Sequence, residues 1–364
     1  MSFQPGRMGV AEGMALVFVT TFTSIFLTSW PLAIDSATTA TWMLSLINGL
    51  IGIGVLYSQA YVLQNTSGDL YAACQELVGV VVTRLIAVYY IGIYLLDACL
   101  LLRQFAESTL LTALPELSFE IAVGWYVFLI VLILFIGIEA IARASYLFLP
   151  MAVLIVFIVV ALLTPQYQFM YLAPWNGPGF PNVVMAGIHS VGLNMGILIP
   201  FILARSFQNS RTIKNSVLYG FGLSSFIKSL TLAAYIAAFG TGAAREKVFP
   251  FYEMARLVYI NRYIQRIESL IIFLWAMMGI LNVAIEIYIG LYLLGRLFNL
   301  PTLRPLIIPT ALILAELAMF PGEIGSVIAF HHKVHWSFYN IGIYIIPGIL
   351  FAAALLRARR RQSC

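Results

Sequence analysis

Long apolar runs separated by short polar clusters set the pattern of this chain, and ten of them approach the length of a bilayer crossing. A helix needs about 20 apolar residues to traverse the hydrocarbon. The runs are 10–33, 40–63, 84–113, 119–138, 144–164, 182–206, 215–240, 264–296, 304–321 and 338–357, and each predicts a transmembrane helix. The stretch 68–82, "GDLYAACQELVGVVV", is too polar at one end to cross and predicts a short interfacial helix, as does 245–260. Between the fifth and sixth runs, "PQYQFMYLAPWNGPGFP" (165–181) has no charge but many aromatics and prolines. Trp and Tyr favour the membrane–water interface, so this loop is expected to pack over the bundle or lie at its rim.

Composition agrees with that pattern. The 364 residues are 62% hydrophobic and only 10% charged, with a mean hydropathy of +0.96. A soluble domain carries about a quarter charged residues, so an all-α integral membrane protein is expected, as one polytopic domain. Its net charge of +5 sits in loops and the tail, which gives nucleic-acid binding no support. Cys74, Cys99 and Cys364 are isolated, with neither a disulfide framework nor a metal spacing. The N-terminal run lacks a small-residue cleavage site and predicts a retained first helix. With ten crossings both termini share a side, and the tail "RARRRQSC" then puts twelve Lys and Arg on that side against six opposite. The bias predicts cytoplasmic termini.

Within this frame the first and sixth runs are unusual. The first, "GMALVFVTTFTSIFLTSWP", has Thr20, Thr21, Thr23 and Ser24 at its middle and Pro31 at its end. The sixth contains "GIHSVGLNMGILIP", with Gly187, His189, Ser190, Gly192, Asn194, Gly196 and Pro200. Gly and Pro are poor helix formers, and polar side chains there must be desolvated. The two runs correspond if the bundle is two five-helix halves, 10–164 and 182–357, and halves with an odd number of spans must be inverted relative to each other. Paired interruptions of this kind point to a transporter binding site. Lipid cannot satisfy the freed carbonyls and N–H groups, so a break must face a cavity or a ligand. Carbonyl ends suit an ammonium and N–H ends a carboxylate, the two groups of a zwitterionic amino acid. By contrast, Ser45, Gly49 and Gly52 in the second run are expected only to let helices pack closely. His189 fits either a hydrogen-bonded packing residue or a ligand contact.

Several stretches carry a family likeness: "LLRQFAESTLLTALPE" (101–116), "GIEAIARASYLFLP" (137–150), "GLNMGILIPFI" (192–202) and "FPFYEMARLVYINRYIQRIESLIIFLWAM" (249–277). On these the chain resembles the spore-germination permeases, the B subunits of germinant receptors in the amino acid–polyamine–organocation (APC) superfamily. The resemblance implies a leucine-transporter-like (LeuT) fold, a five-plus-five inverted repeat with helices one and six broken. It implies recognition of a small nutrient germinant, often an amino acid, together with germinant-receptor A and C subunits in the inner membrane of the spore or in the cell membrane. Position by position it puts the substrate cradle on Thr20, Thr21, Phe22, Thr23 and Ser24, and on Gly192, Leu193, Asn194, Met195 and Gly196.

Ionisable residues inside spans are costly and are functional candidates by default. Asp97 shares a helical stripe with Tyr90, Tyr94 and Gln104, and Glu286 shares one with Gly279, Asn282 and Gly290. Lys228 lies mid-span in the seventh run. The three are expected to form a buried network in which Lys228 neutralises a carboxylate, either as a static pair or as a coupling and gating group standing in for a bound cation. Arg103 and Glu107, at i,i+4, predict a structural ion pair, and Glu139 and Arg143 a clamp at the membrane surface. Glu316 has no evident role. In "FHHKVHWSF" (330–338), His331 and His335 have a helical metal spacing, but His332 is expected to point elsewhere and no Cys or Asp completes a site, so loop histidines beside a membrane crossing are expected instead. No cofactor is implied beyond a proton, and no nucleophile–base set suggests an enzyme. Three functions stay open: a germinant sensor, a proton-coupled amino acid transporter, and an ion or water conduit opened on germination.

Overall fold

A computed structural model describes residues 8–27, 30–258, 268–320, 322 and 324–362. Arg7, Arg262 and Arg266, which belong to the twelve-to-six charge count, and Cys364 lie outside the described residues, as do 259–267 of the 249–277 stretch. The regular elements are all helical: α1 (Val10–Phe22), α2 (Trp30–Ala37), α3 (Thr41–Gln64), α4 (Leu70–Thr112), α5 (Phe119–Ile136), α6 (Ile138–Leu162), α7 (Phe180–Ser190), α8 (Ile199–Ile202), α9 (Ser210–Glu246), α10 (Pro250–Arg256), α11 (Glu268–Phe298), α12 (Arg304–Met319), α13 (Ile324–Val334) and α14 (Ile346–Gln362).

Eight helices among the described residues are long and apolar enough to cross a membrane, not the ten expected. Two expected spans fall short for stated reasons. The first is only Val10–Phe26, because its helix gives way at Thr23; the ninth, α12, has 16 residues. The last span is longer than expected, Gly325–Arg360 rather than 338–357, and π-helical turns at His335–Tyr339 and Ile341–Ile345 join its two α-helical parts. The expected interfacial helix is the start of α4, set off from the crossing part by Gly79 at φ +83, a backbone geometry that costs glycine nothing. Gly240, at φ +67, bends the end of α9 in the same way.

At the centre stands α1, in which every residue from Ala15 to Phe22 is buried. Small residues bring its neighbours close. A Cβ on Gly13 would meet Ser216 and Phe207, and one on Gly220 would lie 2.5 Å from the Met14 carbonyl, which locks α1 against α9. Gly52 seats Phe221 between α3 and α9, the packing role expected of that glycine. Gly279 and Gly290 receive Phe105 and Leu95, so the stripe that carries Glu286 faces α4. The outer faces of α5 and α6 leave Trp125, Ile136 and Leu154 exposed, as lipid-facing surface requires.

The 165–181 segment packs over the bundle: the Gln168 N–H donates to the Ala237 carbonyl at 2.8 Å, and Thr39 Oγ1 donates to the Pro174 carbonyl at 2.6 Å. At the opposite end Asp69 is fully buried and caps the Ala72 N–H at 3.0 Å. It also accepts from Tyr292 Oη at 2.5 Å and Arg296 Nη2 at 3.1 Å, with Arg205 Nε 3.5 Å away. This cluster ties the α3–α4 turn to α11 and to the chain before α9.

Candidate functional site

The sixth span is unwound. After α7 the chain runs as a 3-10 helix from Val191 to Leu198, and Asn194 leaves helical geometry altogether at φ −120, ψ 38. Gly192 and Gly196 weaken the α-helix on either side, and Pro200 starts α8 without needing an N–H bond. In the first span the change comes later than expected. Thr20, Thr21 and Phe22 remain α-helical; Thr23 to Phe26 form a 3-10 turn, and Leu27 is extended at φ −98, ψ 175. Each hydroxyl there returns to a carbonyl of the preceding turn: Thr20 to Leu16 at 2.9 Å, Thr21 to Val17 at 2.7 Å, Thr23 to Val19, and Ser24 to Thr21 at 3.1 Å.

The freed groups at the two breaks have partners inside the protein. Lys228 Nζ, from α9, lies 3.1 Å from the Thr21 carbonyl and 2.8 Å from Asn194 Oδ1. Tyr94 Oη donates to the Met195 carbonyl at 3.1 Å. Gly196 is a close-approach residue: a Cβ there would sit 2.1 Å from Thr20 Oγ1 and 3.0 Å from Thr21 Cγ2. Gly192 and Met195 are likewise buried. The buried trio expected of Asp97, Glu286 and Lys228 therefore divides. Lys228 holds the broken helices together and does not neutralise a carboxylate, because α9 brings it against the α1 side of the bundle.

The carboxylates belong to a second cluster. Asp97 Oδ1 lies 2.7 Å from His331 Nε2 and accepts from Tyr339 Oη at 2.9 Å, and Glu286 is buried on α11 with its Oε2 lacking a hydrogen-bond partner among the described residues. His331 Nδ1 lies 2.8 Å from Gln104 Nε2. Beside this cluster opens a narrow cleft lined by Thr20, Ser24, Leu27, Leu32, Asp97, Leu101, Gln104, Leu193, Asn282, Ile328, His331 and His332. Its mixture of aliphatic walls and a few converging polar groups is that of a small-molecule site. Asn282 Oδ1 is buried there without a hydrogen-bond partner, and so is Asn194 Nδ2 at the break.

Of the expected cradle, Thr20, Ser24 and Leu193 line the cleft, joined by Asp97 from the expected coupling set. Thr21, Phe22, Thr23, Asn194, Met195 and Gly196 are buried in packing around it. His189 is exposed, away from the cleft, and its carbonyl accepts from Asn340 Nδ2 at 2.8 Å. Two readings of the histidine stretch are corrected. His331 and His332 lie on α13, not in a loop, and both line the cleft, because the helix begins well before residue 338. The His335 side chain lies outside the described residues, and among those described no group of three or more metal-ligating side chains assembles. Sequence reasoning left Asn282, Leu101 and Gln104 as mere stripe or span residues; the stripes shared with Glu286 and Asp97 were the signal for two of them.

Other pairs divide similarly. Arg103 Nε meets Glu107 at 2.8 Å as expected, and its guanidinium stacks over Phe119. Glu139 and Arg143 are both exposed and form no ion pair, so the expected clamp is absent among the described residues. Glu316 is exposed on α12.

Solved structures share the fold of this chain. The chain superposes on Mhp1, a nucleobase-cation-symport-1 family transporter in a closed conformation with bromovinylhydantoin bound, at a TM-score of 0.67 with 14% identity, covering 99% of this chain and 81% of that one. MhsT in complex with L-phenylalanine gives a TM-score of 0.66 with 12% identity, covering 95% of this chain and 97% of that one. These likenesses show an APC/LeuT-type fold. In sequence, YfkT of Bacillus subtilis (strain 168) is 23% identical over 286 residues, 77% of each chain. Spore germination protein XB of Bacillus anthracis is 23% identical over 153 residues, 42% of this chain, and the match spans only 43% of that protein. A family model described as spore germination protein matches residues 8–326, and the chain, a multi-pass membrane protein of permease type, belongs to that family.

Proposed function

We propose that this protein is the permease-like subunit of a germinant receptor, binding a small nutrient, an amino acid in the first instance, in the cleft between α1, α4, the 191–198 segment, α11 and α13. The observation that carries the reading is the cleft itself: aliphatic side chains from several helices surround Thr20, Ser24, Gln104 and the unpartnered Asn282 Oδ1. A buried acceptor with no donor is costly until a ligand supplies one. The ligand is small because the Lys228 Nζ already occupies the backbone and side-chain acceptors between the two breaks. Occupation changes the balance between two arrangements of the bundle if they bind the ligand unequally. Receptor A and C subunits read that change, in the inner membrane of the spore or the cell membrane, with both termini cytoplasmic on the charge bias of the loops.

A second reading, a proton-coupled amino acid transporter, is favoured by the Lys228 bridge, a tethered titratable amine held where two broken helices meet. Asp97 and Glu286 complete the coupling groups in that case. One experiment addresses both. The purified chain in lipid nanodiscs is titrated calorimetrically with the twenty L-amino acids, and the same protein in liposomes is tested for uptake under a pH gradient. Saturable binding that Asn282→Leu weakens at least tenfold supports the site, and no binding by any amino acid removes the amino acid assignment. Sustained gradient-driven uptake replaces the sensor by the transporter, and unsaturable flux replaces both by a conduit.

A further inference from the structure

We propose that the furrow between α3 and α9 holds one acyl chain of an anionic phospholipid, whose phosphate is met at the furrow's mouth by Lys214 and Arg211. The furrow shares no residue with the cleft described above. Leu50, Ile53 and Leu56 of α3 and Leu218, Phe221 and Phe226 of α9 wall it, with Leu50 and Phe226 exposed at its rims. Two glycines make the space. Gly222 is exposed on α9, and a Cβ there would meet nothing within 4 Å; a Cβ on Gly49 would stand 3.3 Å from that of Ser225. Ser225 Oγ is buried without a hydrogen-bond partner, since the glycine opposite offers it no side chain, so the seam stays open at its deep end. The floor is Phe221. Its Cε1 and Ile197 Cδ1 both crowd the Cβ position of Gly52, at 2.1 and 3.1 Å, which brings the furrow beside the unwound sixth span.

The mouth is charged. Lys214, one turn before Leu218, places Nζ 4.4 Å from the centre of the Tyr57 ring, one turn beyond Ile53, so the pair spans both helices where the furrow ends. Arg211 lies a further turn toward the start of α9 and is exposed. Positions 211, 214, 218, 222 and 225 recur at steps of three and four and share one face of α9. No Asp or Glu lines the furrow, and among the described residues neither cation forms an ion pair. Lys and Arg at the membrane surface attract anionic headgroups, and Tyr favours the same level. Length separates a lipid from a helix. From Leu46 to Leu56 the lining rises about 15 Å. That is half of the ~30 Å hydrocarbon thickness, the depth of one leaflet. A docked transmembrane helix needs a seam about twice as long. An occupant with a negative head and an apolar tail one leaflet deep is an anionic phospholipid, whatever the cleft binds.

The test measures lipid retention by the full purified chain, read by native mass spectrometry in detergent supplemented with dioleoyl phosphatidylglycerol or dioleoyl phosphatidylcholine. The chain should retain phosphatidylglycerol about tenfold better or more, and Lys214→Gln and Arg211→Gln should each lower that retention about fivefold. Gly222→Leu fills the furrow where nothing stands in its way, so it should abolish retention with the thermal midpoint unchanged. Gly124→Leu is the control, since a Cβ there also meets nothing within 4 Å but lies on the exposed face of α5; it should retain the lipid. Equal retention of the two lipids, or full retention in Gly222→Leu, overturns the site. Glycerophosphoglycerol, the headgroup without chains, should not compete; competition as strong as that of the whole lipid would leave an anion site without the furrow and overturn it too. A dimer that Gly222→Leu dissolves while lipid retention stays unchanged gives the furrow to a second copy of the chain instead.

Discussion

Lys228 Nζ and Asn194 Oδ1 lie 2.8 Å apart, on residues from α9 and from the centre of the unwound sixth span. The contact makes a side chain do what a ligand ammonium was expected to do, since the same nitrogen also reaches the Thr21 carbonyl at 3.1 Å. Lys228→Met removes one donor from two buried acceptors. Leaving a buried polar group unsatisfied costs about 1–3 kcal/mol. A loss of about 2–4 kcal/mol, seen as a lowered thermal midpoint in detergent, is expected. A Lys228→Met chain as stable as the wild type would show that the bridge holds nothing.

Gly196 has no room for a methyl group, because a Cβ would stand 2.1 Å from Thr20 Oγ1. Gly196→Ala therefore separates the first and sixth spans, at a cost of about 1–3 kcal/mol for overpacking. Gly92→Ala is the control: it lies in α4 with nothing within 4 Å of the new Cβ, and Ala is the better helix former. The first variant should unfold at lower temperature and the second at the same or a slightly higher one. Equal effects would contradict the close approach.

The fully buried Asp69 separates two roles that can be tested apart. It caps α4 through the Ala72 N–H, and it gathers Tyr292, Arg296 and Arg205. Asn keeps the cap but not the charge, whereas Ala loses both. Hydrogen exchange over residues 66–79 should rise in Asp69→Asn and rise further in Asp69→Ala, by roughly the ~1 kcal/mol of a lost cap. Identical exchange in the two variants would remove the cap from the account.

The ion pair of Arg245 with Asp35, at 3.1 Å, is a contrasting case, since both side chains are about half exposed. Such pairs contribute about 0–1 kcal/mol and weaken with salt. Asp35→Asn should shift the thermal midpoint little at low ionic strength and not at all at high. A large shift that persists in salt would mean that this end of the bundle depends on the contact.

The sequence by itself determined the class of the molecule and where its helices fail. Apolar length set most of the spans, since a bilayer admits only backbone that satisfies itself. Gly192, Asn194, Gly196 and Pro200 announced the unwound sixth span through local propensity alone, and Arg103 met Glu107 because i,i+4 positions share a helix face. The tertiary structure decided what propensity cannot encode, namely which distant groups meet. His331 and Asp97 are 234 positions apart, and Lys228 and Thr21 are 207 apart, so neither contact leaves a periodic trace in the chain. Thr21 and Thr23 lie outside the cleft lining with their hydroxyls turned back to their own helix, because a hydroxyl in a dry core takes the nearest carbonyl, whereas Thr20 also lines the cleft. Desolvation forces every buried polar group to find a partner, and only the packing of the helices settles which one is within reach.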